Sequence, residues 1–345
     1  MASRWGMDQG FQEYFCRPRR PAGVQLGKAR QLARRWDRRR AIYDEMPYFT
    51  APEMTRAAIS WLERHGDTPF FHFLNYMDVH SPNAAPGTQG LPFEDESVVT
   101  GPRKKEWLDR YLGGAEMTPS ERRSFVNEYD RELIHLDRWV GALLDHLESS
   151  GLGERTMVVL TSDHGEFLDE HHLIGHSKDL YAEVVDIPMI VWEPGAASRR
   201  VSHPVQGLDV FPTILRYLGL PIPPATQGHD MLQVDHPIVS EEHYALTDML
   251  FGPHGQRFDR ILRTIRAGEH RYFQSTSGEE RLFDRQADPR EARNLASERP
   301  DLIASARASL EQWLRTTPEA APRADTAPKV DAEALENLRA LGYIR

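Results

Sequence analysis

The sequence predicts an α/β fold: a largely parallel central sheet flanked by helices, followed by a small carboxyl-terminal antiparallel sheet with a covering helix. Three observations carry that prediction. Thr156-Met157-Val158-Val159-Leu160 is an unbroken apolar run rich in β-branched residues, which reads as a strand buried on both faces. A long helical stripe ends at Gly151 just before it, so helix, glycine turn and strand form a crossover unit of a parallel sheet. Beyond residue 236 the apolar runs shorten and are separated by turn residues, as in hairpins.

Taken in order, the first helix is announced by Thr50-Ala51-Pro52-Glu53, a capping box with proline in the first turn. Met54, Ala57, Ala58, Trp61 and Leu62 then recur at helical spacing and predict the inward face. Pro69 to Met77 reads as a strand ending in Asp78-Val79-His80-Ser81-Pro82. The stretch from Pro82 to Pro102 reads as a long loop, the kind that lines a cleft. Thr118-Pro119-Ser120-Glu121 and Ser120-Glu121-Arg122-Arg123 offer competing starts for the long helix. Its apolar stripe is Tyr129, Leu133, Leu136, Val140, Leu143, Leu144 and Leu147, and His135 and His146 read as surface or packing residues. The strand to Leu160 stops at Asp163-His164-Gly165-Glu166, two potential metal ligands side by side at a strand's carboxyl end, where open α/β sheets bind ligands. Ile187 to Trp192 is a further strand, and Leu208 to Leu218 a short amphipathic helix ended by Gly219. Pro237 to Glu241, a hairpin from Arg260 to Ser275 turning at Ala267-Gly268-Glu269, and Glu280 to Asp284 supply the small sheet. A helix around Leu302 to Leu314 covers it, and a linker leads to a terminal helix from Asp331 to Tyr343.

Composition narrows the function. Forty-two basic against 52 acidic residues give a net charge of −10, which argues against a general nucleic-acid binder. There is no apolar run of about 18 residues, so no membrane span is expected. The first ten residues hold no signal-peptide core; as written the chain reads as cytoplasmic, with localisation otherwise open. Cys16 is the single cysteine, so no internal disulfide is possible. A basic segment from Arg17 to Arg40 reads as a solvated helix face with Leu32 and Trp36 inward, rather than as a surface for an anionic partner.

Several motifs together carry a resemblance. They are Asp163-His164-Gly165-Glu166, Phe70-Phe71 leading to Asp78-Val79-His80-Ser81-Pro82, and Gly175-His176-Ser177-Lys178-Asp179-Leu180-Tyr181-Ala182-Glu183 before Ile187-Pro188. To these add Gly10-Phe11 to Phe15, Asp209 to Leu215 with its Pro212-Thr213, and Asp288-Pro289-Arg290-Glu291 with Asn294-Leu295. This set resembles the sulfatase family of the alkaline phosphatase superfamily. The resemblance implies an alkaline-phosphatase-like fold and a metal-dependent hydrolase of sulfate esters, acting on a small-molecule or sugar sulfate. It implies Asp163 and His164 as metal ligands. His80 would approach the sulfate or leaving group, and His176, with Lys178 as the alternative, would hold the third position. The ion it implies is divalent, Ca²⁺ first, with Mn²⁺ or Zn²⁺ admitted by the softer imidazole of His164. Such families are often periplasmic or secreted. Asp186 departs from the pattern, which usually has arginine there.

Some of the pattern is not found. Cys16-Arg17-Pro18-Arg19-Arg20 matches the Cys-x-Pro-x-Arg of formylglycine, but it follows Phe15 instead of preceding it, and Pro21 breaks the expected helix. No nucleophile is therefore assigned, and formylglycine is expected to be absent from this chain. The strand ending in paired aspartates and the Gly-Lys-x-His segment are also not seen. The expectation is an incomplete sulfatase, inactive alone, with a partial catalytic domain at 1–235, a carboxyl-terminal subdomain at 236–316, and linker and helix at 317–345. The missing part would leave an unpaired edge or apolar face. Two other readings stay open: a phosphodiester or phosphonate monoester hydrolase of the same superfamily, and an inactive binding relative. Oligomeric state is not readable.

Overall fold

The computed structural model describes residues 12–13, 49–80, 113–114, 116–232, 236–243 and 255–317. Cys16, the basic segment, the Pro82 to Pro102 loop and the terminal helix lie outside them. The chain forms two compact units. One comprises Met1–Thr100, Thr118–Arg155 and Pro322–Arg345; the other comprises Gly101–Met117 and Thr156–Ala321.

The first unit holds helices α1 (Ala51–His65) and α2 (Pro119–Ser149). Each starts at the threonine the sequence singled out. Glu53 accepts from the Thr50 N–H at 3.0 Å, and Glu121 from the Thr118 N–H at 2.9 Å, so Thr118 wins over Ser120. On α1 the buried positions are Ala51, Thr55, Ala58 and Leu62, a face rotated from the expected one, with Ala57 exposed. Thr55 donates to the Trp139 carbonyl at 3.1 Å and lies 2.9 Å from the Tyr76 hydroxyl. Asp78, buried at the end of the Pro69 to Met77 stretch, accepts from the Ala51 N–H at 2.8 Å. That carboxylate sits at the positive end of α1, where backbone N–H groups lack helical partners.

The face α2 buries differs from the expected stripe. Leu133 and Leu144 are exposed, while Ser124, Glu128, Arg131, Glu132 and His135 are enclosed with Leu147. Charged groups survive burial because they pair: Arg131 and Glu128 are 3.7 Å apart, one helical turn along the same face. Residues 69–77 are extended and alternate in exposure, with Phe71 and Phe73 at 61% and 68%, yet form no ladder among the described residues.

The second unit begins with β1 (Val158–Thr161) and β4 (Met189–Trp192), paired antiparallel from Val158 opposite Trp192 to Thr161 opposite Met189. Among the described residues every ladder is antiparallel, so the expected parallel pairing of the central sheet is not seen among them. The reason lies in the connection. The chain leaves β1 through a tight hairpin, β2 (Phe167–Leu168) with β3 (Ile174–Gly175), and a short helix α3 (Ala182–Val185), then returns along β1. Nor is β1 buried on both faces; it is half-covered, and Ile190 and Trp192 of β4 are 59% and 63% exposed.

After helix α4 (Val210–Tyr217) comes the small sheet: β5 (Val239–His243), β6 (Ile261–Ala267), β7 (His270–Ser275) and β8 (Glu280–Asp284), in that order and wholly antiparallel. These match the predicted runs, and α5 (Pro300–Thr316) covers one face. Ile265, Tyr272 and Leu282 pack there on Ile303, Ala306 and Leu310. The opposite face packs Leu262, Phe273 and Phe283 on Leu180, Tyr181 and Val185. Each fully buried side chain of this size contributes roughly 1.5–3 kcal/mol. The Asn294-Leu295 turn docks on β8, with Leu295 donating to the Leu282 carbonyl at 2.8 Å and Asn294 accepting from the Leu282 N–H at 3.0 Å.

Candidate functional site

The strand-to-hairpin junction after β1 is where the second unit gathers its metal-ligating side chains. Asp163 stands 86% exposed at the strand end, accepting the His164 N–H at 3.0 Å. His164 Nδ1 lies 2.8 Å from the Gly165 carbonyl. A carbonyl can only accept, so this contact fixes the proton on Nδ1 and leaves a lone pair on Nε2, the form a metal requires. Nε2 in turn lies 3.8 Å from Asp163 Oδ2. Ser162 donates to the His164 carbonyl at 2.6 Å and stiffens the turn. Gly165 is needed because of a close approach: a Cβ there would sit 2.0 Å from the Glu183 carbonyl oxygen, to which neighbourhood it is tied by Gly165 N–H donating to Val184 at 2.8 Å.

The hairpin β2–β3 brings His176 back to this junction. Its ring centre is 4.1 Å from that of His164, and its Nδ1 is 3.4 Å from Glu166 Oε2. His164, Glu166 and His176 form one of two groups whose ligand atoms all lie within 4.8 Å of one another among the described residues. The loop that does this is strained: Asp169, His171, His172 and Ser177 all have positive φ, as does Gly175. Such backbone persists only where surrounding contacts over-determine it. Here His171 stacks on Tyr181 at 3.7 Å, and Glu170 accepts from the Leu168 N–H at 2.6 Å.

Lys178 is one source of that over-determination. It is fully enclosed, and its ammonium donates to the carbonyls of Ile174 at 2.5 Å and His176 at 3.0 Å. Burial pushes its pKa down to about 7, against the nearby charges of Glu166 and Glu242. Burial likewise raises Glu242 to about 7. Next to it, Asp179 is gripped by Arg281 at 2.9 and 3.0 Å and by Arg260 at 3.0 Å. Glu291 accepts from the Ala182 N–H at 2.9 Å. Asp186, in place of arginine, meets two arginines, Arg271 of β7 and Arg285 just after β8.

Of the residues singled out from sequence, the structure therefore brings Asp163, His164 and His176 together and places Lys178 beneath the loop that carries His176. His80 belongs to the other unit, half-buried in a turn closed by its N–H donating to Met77 at 3.0 Å. Glu166 was quoted within a motif but given no role. Its signal was its place two residues beyond His164, with the chain turning back at Gly175.

These findings meet known proteins in one place. The sulfatase family profile matches residues 11–220, and the chain belongs to that family. Among curated relatives it is 24% identical over 314 residues to the ulvan-active sulfatase of Formosa agariphila, covering 85% of this chain and 58% of that protein. It is 28% identical over 302 residues to bovine (Bos taurus) arylsulfatase K, covering 76% and 54% respectively. To the multifunctional alkaline phosphatase superfamily protein of Trinickia caryophylli it is 26% identical over 287 residues, covering 71% and 55%. The chain thus spans just over half the length of these relatives. Among solved structures, a Bacteroides fragilis protein assigned as a sulfatase superposes with a TM-score of 0.61 at 23% identity, covering 79% of this chain and 60% of that one. The phosphonate monoester hydrolase of Agrobacterium radiobacter gives 0.61 at 18%, covering 80% and 63%. The fold is alkaline-phosphatase-like, with the small four-stranded antiparallel sheet at its carboxyl end. No described helix is long and apolar enough to cross a membrane.

Proposed function

We propose that this chain supplies the metal-binding and anion-facing side of a sulfate ester hydrolase whose substrate is a small-molecule or sugar sulfate. The observation that carries the reading is the 2.8 Å contact between His164 Nδ1 and the Gly165 carbonyl, which frees Nε2 for a metal in the neutral ring, with Asp163 Oδ2 3.8 Å from Nε2 and the His176 ring centre 4.1 Å away. The donors suit a divalent ion: the His164 imidazole lies within reach of a Glu166 carboxylate oxygen, and the exposed Asp163 carboxylate stands beside it. The imidazole admits Mn²⁺ or Zn²⁺ beside the Ca²⁺ expected from oxygen ligands. When bound, such an ion draws charge from the non-bridging oxygens of the ester.

The chain's own residues do the rest. His176, held against Glu166, offers a proton or a hydrogen bond to the ester or its leaving oxygen. Lys178 works from below, fixing the His176 carbonyl and so the ring's direction. His80 is assigned to the leaving group on its motif alone. The attacking group is assigned to a segment with Cys- or Ser-x-Pro-x-Arg at a helix start, which Cys16 does not provide.

A phosphonate or phosphate ester is the second reading, favoured by the Asp163-His164 pair, since tetrahedral anions of similar size fit the same donors. The name of the Trinickia relative and the fold of the Agrobacterium hydrolase accord with it. The test is to read the DNA upstream of Met1 for the attacking motif and assay the resulting protein on 4-nitrophenyl sulfate, 4-nitrophenyl phosphate and 4-nitrophenyl phenylphosphonate. The sulfate should turn over fastest. A preference for either phosphorus ester selects the second reading, and no turnover of any selects a binding relative.

A further inference from the structure

A second cluster, away from the β1 junction and independent of the reading above, sits where α4 begins. Asp209 is fully buried there. Its Oδ2 accepts from the Gln206 N–H at 2.9 Å, and its Oδ1 from the His229 N–H at 2.9 Å. His236 places Nε2 3.2 Å from the same Oδ1, and its ring lies 4.4 Å from that of His229. The ligand atoms of Asp209, His229 and His236 all lie within 4.8 Å of one another.

We propose that Asp209, His229 and His236 hold a zinc-type divalent cation that ties His229 and His236 to the start of α4. Two observations go beyond the clustering. First, the His236 side chain is only 6% exposed, yet its Nδ1 has no hydrogen-bond partner among the described residues. A buried imidazole nitrogen left without a partner is costly unless something the chain does not supply binds it. Second, the opposite nitrogen is directed at the carboxylate: Nε2 lies 3.2 Å from Asp209 Oδ1 and 3.1 Å from the Gln206 side-chain amide. An ion held by all three side chains takes the Nε2 lone pair and has the Asp209 carboxylate beside it. The 3.2 Å separation suits that case. In a tetrahedral zinc shell with bonds of about 2.0–2.1 Å, neighbouring ligand atoms stand about 3.3 Å apart. Imidazoles select a transition ion over Ca²⁺ or Mg²⁺. His229 is exposed, so water completes the shell.

The surroundings are built to hold this geometry. A Cβ on Gly228 would sit 1.9 Å from the Leu208 carbonyl oxygen, so the backbone before His229 lies directly on that before Asp209. Met231 donates to Thr213 at 3.0 Å and accepts from His203 at 2.9 Å, and Arg216 bridges Asp230 and Glu193 at 3.0 and 3.1 Å.

The test measures zinc retained by the whole chain after dialysis, by elemental analysis, in a His164→Ala/His176→Ala background that silences the other cluster. One equivalent should remain. Adding His229→Ala, an exposed position whose loss leaves the fold intact by circular dichroism, should weaken zinc binding at least tenfold, and His229→Cys should restore it. Zinc content unchanged by His229→Ala, or no zinc in the starting background, overturns the proposal.

Discussion

In the proposed site, single side chains around His164 would carry the chemistry, and each has a distinct expected signature. In the active protein His176→Ala should lower kcat by about 10²–10⁴, the ordinary worth of a positioned proton donor, with a smaller change in KM. Equal loss in KM alone would make it a binding group. Lys178 differs because it touches no substrate. Lys178→Met keeps the volume but leaves the Ile174 and His176 carbonyls without their donor, at a cost of about 1–3 kcal/mol seen as a lower Tm. The same residue sets a pH dependence. Its folded pKa, about 7, lies below the ordinary 10.5, so the unfolded chain binds more protons between those values and stability rises with pH across that window. Glu242 acts oppositely. Its folded pKa, about 7, lies above 4.5, so its contribution is full below pH 4.5 and lost as pH rises to 7. Thermal melts against pH should show a trough near neutrality, and Glu242→Gln should remove its acidic limb; an unchanged limb contradicts the assignment. Sequence named His164 and His176 because their neighbours in the chain are distinctive. It could not show that Lys178 points inward, since a lysine reads the same whether its stem ends in solvent or under a loop.

At the scale of elements, the β2–β3 hairpin is held in a strained form by what packs behind it. Gly165→Ala forces a Cβ against the Glu183 carbonyl, which is backbone and cannot swing aside. Urea denaturation should show a loss of about 2 kcal/mol or more. Asp186→Ala leaves Arg271, enclosed between Asp186 and Glu291, with one partner instead of two. The expected loss is about 1–3 kcal/mol, smaller than for a wholly orphaned buried charge because Glu291 remains at 3.1 Å. Asp186→Arg, the usual residue of the family pattern, should do worse still, by setting three arginines together. The small sheet was legible in advance: its short apolar runs are separated by turns that carry Gly268 and Gly278. Helix α2 was legible in extent and not in orientation. Its apolar stripe suggested an inward face, whereas the chain buries Glu128, Arg131 and Glu132. Periodicity counts apolar side chains and is blind to charges that travel in pairs.

For the whole molecule, the carboxyl-terminal sheet acts as a clamp on the site. Its one face takes α5 and its other takes Leu180 to Val185, the segment directly after the His176 loop. Helix α5 therefore reaches the chemistry through two layers, although none of its residues touches a ligand. The antiparallel pairing of β1 with β4 was not legible in the run of apolar strands, because strand identity does not fix strand direction; the connection through the β2–β3 hairpin does. The central claim is that a divalent ion sits against His164 Nε2 at the end of β1. Its most direct measurement is anomalous diffraction from crystals grown with Mn²⁺. The account predicts a peak at bonding distance from His164 Nε2, shared with Asp163 or Glu166 and lost in His164→Ala. No peak there, or His164 found with its Nε2 protonated and turned to a carbonyl, would contradict it.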